Sequence, residues 1–172
     1  MLCYCKLVLF DPMTVSDETK ANPEYIKLMG ILKQTISNLC DIKPDEVRVD
    51  DDGEIGYGSS GSSLVFVSVI TDQTPSLYLF NCFILTDVKD TKLVYELVNK
   101  VNIDCTFGTI FYSPENENIR LFYSLPVTEP TPDFLEYILT TIQSDCEDYD
   151  DRLQKFLGGE KWIEAKEDEI EV

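Results

Sequence analysis

Apolar residues recur at helical spacing in three stretches of this chain and alternate with polar ones in most of the rest. In "NPEYIKLMGILKQTISNLCDI", Tyr25, Leu28, Met29, Leu32, Ile36, Leu39 and Cys40 make one stripe; Asn22 is placed to cap the helix and Pro23 to open it. "DTKLVYELVNKVN" carries a shorter stripe, Leu93, Val94, Leu97, Val98 and Val101, behind Asp90 as the predicted N-cap. The longest, "TPDFLEYILTTIQSDCEDYDDRLQKFLGG", opens on Thr131 and Pro132 and stops at Gly158-Gly159. Its predicted stripe is Phe134, Ile138, Ile142, Cys146, Tyr149, Leu153 and Phe156.

Strand patterns fill the intervals. Val47 and Val49 before Asp52-Gly53, with Ile55 and Tyr57 after it, predict a hairpin, because glycine accepts the positive φ of a tight turn. "SLVFVSVI" and "SLYLFNCFIL" follow, separated by "TDQTP", then "CTFGTIFYS" and "NIRLFYSLP" joined by "PENEN". In the last of these Ile119, Leu121, Tyr123 and Leu125 alternate with Arg120 and Ser124, a half-buried pattern. "SLYLFNCFIL" is different. Both of its alternating sets are apolar: Leu77, Leu79, Phe83 and Leu85 on one face, Tyr78, Phe80, Cys82 and Ile84 on the other. A strand backed by helices on one side alone should show one polar face; this one asks for cover on both.

"VRVDDDGEIGYGSSGSS" invites two chemical readings, and each fails on residue type. A calcium loop with its glycine at Gly53 would place Arg48 at the first ligand position and Ser59 where a bidentate glutamate belongs. A phosphate loop would end in Lys-Ser or Lys-Thr and open a helix, whereas strand-like "LVFVSVI" comes next. The stretch reads as a turn followed by a flexible Gly/Ser link. A carboxylate-dependent hydrolase built on Asp50, Asp51, Asp52 and Glu54 is the enzymatic alternative, but consecutive aspartates on a turn diverge instead of flanking a substrate. Asp145, Glu147, Asp148, Asp150 and Asp151 scatter around the polar arc of the last helix and read as a solvated face.

Composition narrows the function classes further. The 172 residues, enough for one domain with a genuine core, carry 32 acidic and 14 basic residues, a net charge of −18. That charge repels nucleic acid and anionic membrane and suits a partner with a basic segment. Histidine is absent, which removes the commonest general base and metal ligand. Cys3, Cys5, Cys40, Cys82, Cys105 and Cys146 include no Cys-x-x-Cys pair, so zinc-ribbon and redox-motif readings fail. Cys40, Cys82 and Cys146 lie among apolar neighbours as small hydrophobes. "MLCYCKLVLF" lacks a cleavage site and is too short to span a membrane; it reads as a docked strand or ordered extension, and the thiols as reduced, in a cytoplasm.

With these elements in the order helix, three strands, helix, two strands, helix, the chain resembles the YbjN-like proteins and, more distantly, the type III secretion chaperones of the Tir-chaperone class. The likeness runs from about Tyr25 to Gly159 and rests on "DDDGEIGY", "ELVNKVNIDCTFGTIFY" and the last helix with its Phe/Leu-Gly-Gly exit. It implies an α+β fold, α-β-β-β-α-β-β-α, an antiparallel sheet with two helices packed on one face. It also implies a non-enzymatic protein without cofactor or metal. Secretion-branch relatives are homodimers that hold client segments extended, and YbjN-like relatives are described as regulators or peptide-binding chaperones. Residues 1–21, with Cys3 and Cys5, and the acidic tail 160–172, which Trp162 and Ile163 could anchor, are additions to the domain at 22–159.

The reading that follows is a cytoplasmic chaperone-like or regulatory protein binding an extended segment of a partner protein, with a homodimer as one way to hide apolar surface. A structural assembly subunit with one fixed partner is the alternative. Tyr78, Phe80, Cys82 and Ile84 are the candidate protein-binding residues, and on that assignment a glutamate at position 80 leaves the fold intact. For the acidic turn, calorimetry should find no stoichiometric, sub-micromolar calcium site at Asp50–Gly53; such a site would overturn the turn reading.

Overall fold

The computed structural model describes residues 15–58, 62–127 and 129–162. Strands β1 (Glu54–Tyr57), β2 (Leu64–Ile70), β3 (Leu77–Thr86), β4 (Thr109–Ser113) and β5 (Asn118–Pro126) form an antiparallel sheet in the order β1-β2-β3-β5-β4. A two-residue β6 (Glu160–Lys161) pairs with the end of β3. The helices are α1 (Asp17–Lys20), α2 (Pro23–Cys40), α3 (Lys92–Val101) and α4 (Pro132–Leu157). The α-β-β-β-α-β-β-α order is therefore present, with α1 and β6 as short additions. The expectations for Cys3, Cys5 and the first ten residues, for Ser59–Gly61 of the Gly/Ser link and for Ile163 lie outside the described residues.

Local chemistry explains the main helices. Asn22 Oδ1 accepts from the Glu24 N–H at 2.9 Å, and Thr131 Oγ1 accepts from the Phe134 N–H at 3.3 Å. Each caps a helix that begins with proline, whose missing N–H would have had no partner in the first turn. At α3 the cap is Thr91 instead of the predicted Asp90. Helix α2 ends where Asp41 takes a left-handed conformation, φ 54°.

The core is one layer. Leu28, Leu32 and Ile36 of α2 and Leu135, Ile138, Leu139 and Ile142 of α4 are buried with Val65 and Val67 of β2, Ile119 and Leu121 of β5, and Tyr78, Phe80, Cys82 and Ile84 of β3. Val94, Val98 and Val101 of α3 join the same cluster beside β4. The Tyr78 hydroxyl donates to the Leu28 carbonyl at 2.8 Å, so the polar tip of a fully buried ring is satisfied.

Several sequence expectations change. Val47–Val49 is not a strand; the Asp50–Gly53 turn is present, but its upstream arm leads from α2 and β1 pairs with β2 alone. β4 starts at Thr109, because the preceding residues form the bend that carries Gly108 at φ 86°. Phe134 and Phe156 leave the α4 stripe, 46% and 62% exposed. Leu135 and Leu139, both fully buried, take places in the stripe that the sequence pattern did not single out. The Gly/Ser link is tied down at its described end, where Ser63 is buried and Ser62 and Ser63 both donate to Asp150.

Phe80 is fully buried in this core. Truncation to alanine should cost about 3–5 kcal/mol of unfolding free energy in a urea titration. Phe80→Glu should cost more and abolish the native near-ultraviolet signal, because an unpaired charge would enter the helix-covered layer.

Candidate protein-binding face

Strand alternation sorts the sheet residues into two faces, and the pairing register carries the assignment from strand to strand. Phe80 lies opposite Val67 and Tyr123, and Cys82 opposite Val65 and Leu121. All belong to the helix-covered side. The other side collects Glu54 and Gly56 of β1, Leu64, Phe66, Ser68 and Ile70 of β2, Leu77, Leu79, Asn81 and Phe83 of β3, Arg120, Phe122 and Ser124 of β5, and Thr109 and Phe111 of β4. Among the described residues no helix packs there.

The sequence-based site residues therefore sit on the helix-covered side of the strand. Tyr78, Phe80, Cys82 and Ile84 are brought together, but each is fully buried beneath the protein's own helices, so they offer no surface to a partner. The companion set, Leu77, Leu79, Asn81 and Phe83, faces away from the helices. Leu77, Leu79 and Asn81 are half-buried, while Phe111 and Phe122 are 39% and 42% exposed. A sheet face that mixes leucine and phenylalanine with Ser68, Asn81, Ser124 and Thr109 is apolar enough to bind and polar enough to stay dissolved.

One end of this face is already built over. Trp162 stacks on Phe83, ring centroids 4.1 Å apart, and Phe66 meets Phe83 edge-on at 6.0 Å. Leu64 completes this second, smaller cluster. The Arg120 guanidinium lies 4.5 Å from the Phe83 ring centroid, and its Nε donates to Asn118 Oδ1 at 2.8 Å. Arg120, which alternation alone would leave in solvent, is thus buried. It is also the only cation among the described side chains on this face.

The chain reaches Trp162 by a firmly held route. Gly158 and Gly159, at φ 69° and 81°, turn the chain out of α4 and into β6. A side chain at Gly159 would collide with the Thr86 carbonyl oxygen, so only glycine lets β6 approach β3 so closely. Lys161 Nζ then meets Asp150 Oδ1 at 3.0 Å and also bonds Asp151. The Asp151 bond first, and Asp150 behind it, hold the Lys161 ammonium above its ordinary pKa. Asp150 is fully buried, which corrects the reading of the α4 acids as one solvated face. The others do line the outside: Asp145 accepts from the Thr106 N–H at 3.2 Å and Asp148 pairs with Arg152 at 2.9 Å.

Both sheet edges carry side chains that imitate a neighbouring strand. At β4 the Asn102 amide donates to the Ile110 carbonyl and accepts from the Ile110 N–H, both at 2.7 Å. At β1 the Asp50 N–H donates to the Glu54 carbonyl at 3.0 Å while Asp50 Oδ1 accepts from the Glu54 N–H at 2.8 Å. Asp50 also accepts from the Asp52 N–H at 3.1 Å, so its carboxylate closes the turn. That is a structural task for the Asp50 carboxylate. No group of carboxylates and thiols among the described residues is arranged to hold a metal. Cys82, Cys105 and Cys146 are free thiols, and burial, with Cys82 alongside, pushes the Cys146 thiol well up.

Glu54, at the far end of the face from Arg120, is held above its ordinary pKa by burial first, with the Asp50 and Asp52 charges adding to it and the Ser68 hydrogen bond at 3.0 Å opposing. A carboxyl raised in the folded state favours folding while protonated and opposes it once ionised. Glu54→Gln, which keeps an acceptor for Ser68, should therefore melt higher than wild type at neutral pH. The two melting temperatures should converge as the pH falls below the ordinary glutamate value of 4.5. A constant difference across that range would contradict the assignment.

A family model described as T3SS (YopN, CesT) and YbjN peptide-binding chaperone 1 matches residues 27–165. Among curated proteins none matches the chain. Of solved structures, a chain in the crystal structure of the ExsC-ExsE complex aligns with a TM-score of 0.57 at 12% identity, covering 77% of this chain and 95% of that one. A chain in the structure of the HopA1-SchA chaperone-effector complex aligns with a TM-score of 0.54 at 9% identity, covering 74% of this chain and 94% of that one. At such identities the likeness establishes the fold.

Proposed function

Since this chain belongs to the T3SS and YbjN peptide-binding chaperone family, we propose that it is a non-enzymatic, cytoplasmic chaperone-like protein that holds an extended segment of a partner protein against the sheet face its helices leave bare. The observation that carries this reading is that face: Leu77, Leu79, Phe111 and Phe122 form an apolar strip with two phenylalanines more than a third exposed. The site is the face opposite to Tyr78, Phe80, Cys82 and Ile84. Side chains of a bound segment would settle between the phenylalanines and leucines. Ser68, Asn81 and Ser124 would give its main chain hydrogen-bonding partners. The net charge of −18 favours a client whose apolar stretch is flanked by lysine or arginine. It also opposes pairing of this face with a second copy, since two such chains repel. No described helix is long and apolar enough to cross a membrane.

Phe122→Glu separates this reading from a purely structural one. Phe122 is 42% exposed and off the core, so the variant should keep the wild-type circular dichroism and lose less than about 1 kcal/mol of stability. Tagged wild-type protein from its native cells should retain partners that Phe122→Glu releases, and light scattering of the free protein should give the mass of one chain. Partners kept unchanged by the variant would refute the site. A dimer that Phe122→Glu splits would assign the face to a second copy.

A further inference from the structure

The pairing register makes a lattice of the face that the described helices leave open, and its accessible apolar positions follow one oblique row. Phe111 on β4 lies opposite Arg120, two residues along β5 from Phe122. Phe122 lies opposite Asn81, two residues along β3 from Leu79. Leu79 lies opposite Ser68, two residues along β2 from Ile70. Each member of the row is thus the diagonal neighbour of the next, about 7–8 Å away, and the row is roughly 22 Å long. Leu79 and Ile70 are half-buried and both phenylalanines are exposed. Phe66 and Phe83 share the face but are buried in the cluster that Trp162 closes. The row has polar borders. Ser68, Asn81 and Arg120 line one side; Thr109 and Ser124 line the other, which reaches Leu77 only at its far end.

A row one residue wide fits an extended segment better than a helix. Alternate side chains of an extended chain point the same way in single file, about 6.7 Å apart, close to the spacing of the row. Its N–H and C=O groups point sideways, toward the hydroxyls and the amide of the two borders. A helix would bring an apolar arc of about 100° or more, wide enough to press apolar side chains onto Asn81 and Ser124. The two ends of the row also differ in charge. Arg120 lies opposite Phe111. At the other end Glu54, opposite Ser68, is the diagonal neighbour of Ile70. The Asp50 carboxylate is bonded to the Glu54 N–H, and Asp72 is exposed just past Ile70. A basic side chain is therefore repelled at the Phe111 end and attracted at the Ile70 end.

We propose that the client segment crosses the face obliquely, from Phe111 through Phe122 and Leu79 to Ile70, as about seven residues of extended chain with an apolar side chain at every second position. Lysine or arginine follows beyond the Ile70 end, beside Glu54. The inference rests on the reading that this face is the client site, and it adds the pattern a client must carry.

The probe is a synthetic peptide, acetyl-Val-Ser-Leu-Ser-Leu-Ser-Val-Lys-Lys-amide, titrated into the full chain and followed through the methyl resonances of Leu79 and Ile70. Its isomer acetyl-Val-Leu-Ser-Ser-Ser-Leu-Val-Lys-Lys-amide, with the alternation broken, should bind roughly tenfold more weakly. Ile70→Ser and Phe111→Ser, at opposite ends of the row, should each weaken the alternating peptide roughly tenfold, as expected for one lost apolar contact. Leu77→Ser, off the row, should change its affinity by less than about twofold, and all three variants should keep the wild-type circular dichroism. Glu54→Gln should weaken this peptide and leave a version ending in Ser-Ser unchanged; equal effects on both would refute the placement of the basic end. Equal affinity for the two isomers, including none for either, overturns the inference. So does a loss with Leu77→Ser but not with Phe111→Ser, which would lay the segment along β3. If either result comes while Phe122→Glu still releases native partners, the oblique course is excluded and the client reading stands. If Phe122→Glu neither weakens the peptide nor releases partners, the client reading falls and takes the inference with it.

Discussion

A β-sheet has two faces, and the described helices of this chain cover one. Every strand divides its side chains between the two sides, and the central strand β3 contributes bulky apolar residues to both. Tyr78, Phe80, Cys82 and Ile84 fill the space beneath α2 and α4, where the Tyr78 hydroxyl is bonded to the main chain of α2. A one-residue slip of β3 would exchange the two sets and put Leu77, Leu79 and Asn81 under the helices. Asn81 would then need partners in an apolar layer, and Tyr78 would lose its own. The parity is fixed by that difference, and with it the identity of the surface left to a partner.

The helices were legible because their ends are written locally. Asn22-Pro23 and Thr131-Pro132 specify caps without reference to the rest of the chain, and Gly158-Gly159 specifies a stop. The order of strands was legible for the same reason, from runs bounded by turn residues. The parity of β3 was not legible from β3 itself, since both of its sets are apolar. Its neighbours held the signal: Ser68 on β2, Asn81 on β3, and Arg120 and Ser124 on β5 all lie on one face once the strands are paired. Reading them together requires the register, which no single segment states. The burial of Asp150 was hidden more deeply still. On the helix it looks like its neighbours Asp148 and Asp151, and only Ser62, Ser63 and Lys161, brought in by tertiary folding, separate it from them.

That buried ion pair locates the chain more than it stabilises it. Desolvating Asp150 and Lys161 offsets much of their attraction, and pairs of this kind contribute little net stability against an apolar replacement. Breaking the pair is another matter, because the buried Asp150 charge would keep only the Ser62 and Ser63 hydroxyls. The arrangement in which Lys161 lies beside Asp150 fixes the end of the domain. It carries the chain past the end of β3 and delivers Trp162 to Phe83, on the side opposite to α4.

The edges of the sheet bear on how a partner can be held. Adding a strand needs a row of main-chain donors and acceptors on an open edge. At β4 the outward groups of Ile110 are taken by Asn102, and at β1 those of Glu54 are taken by Asp50. Each strand is short, so one occupied residue removes a large part of its edge: β1 runs only from Glu54 to Tyr57, and β4 from Thr109 to Ser113. The face that the described helices leave open suffers no such loss, and its apolar strip runs across β3, β5 and β4 through Leu79, Phe122 and Phe111. On the proposed reading, recognition would rest on side-chain packing on a face more than on main-chain pairing at an edge. Packing of that kind tolerates many sequences with the same spacing of apolar residues, which suits a face proposed to take an extended segment.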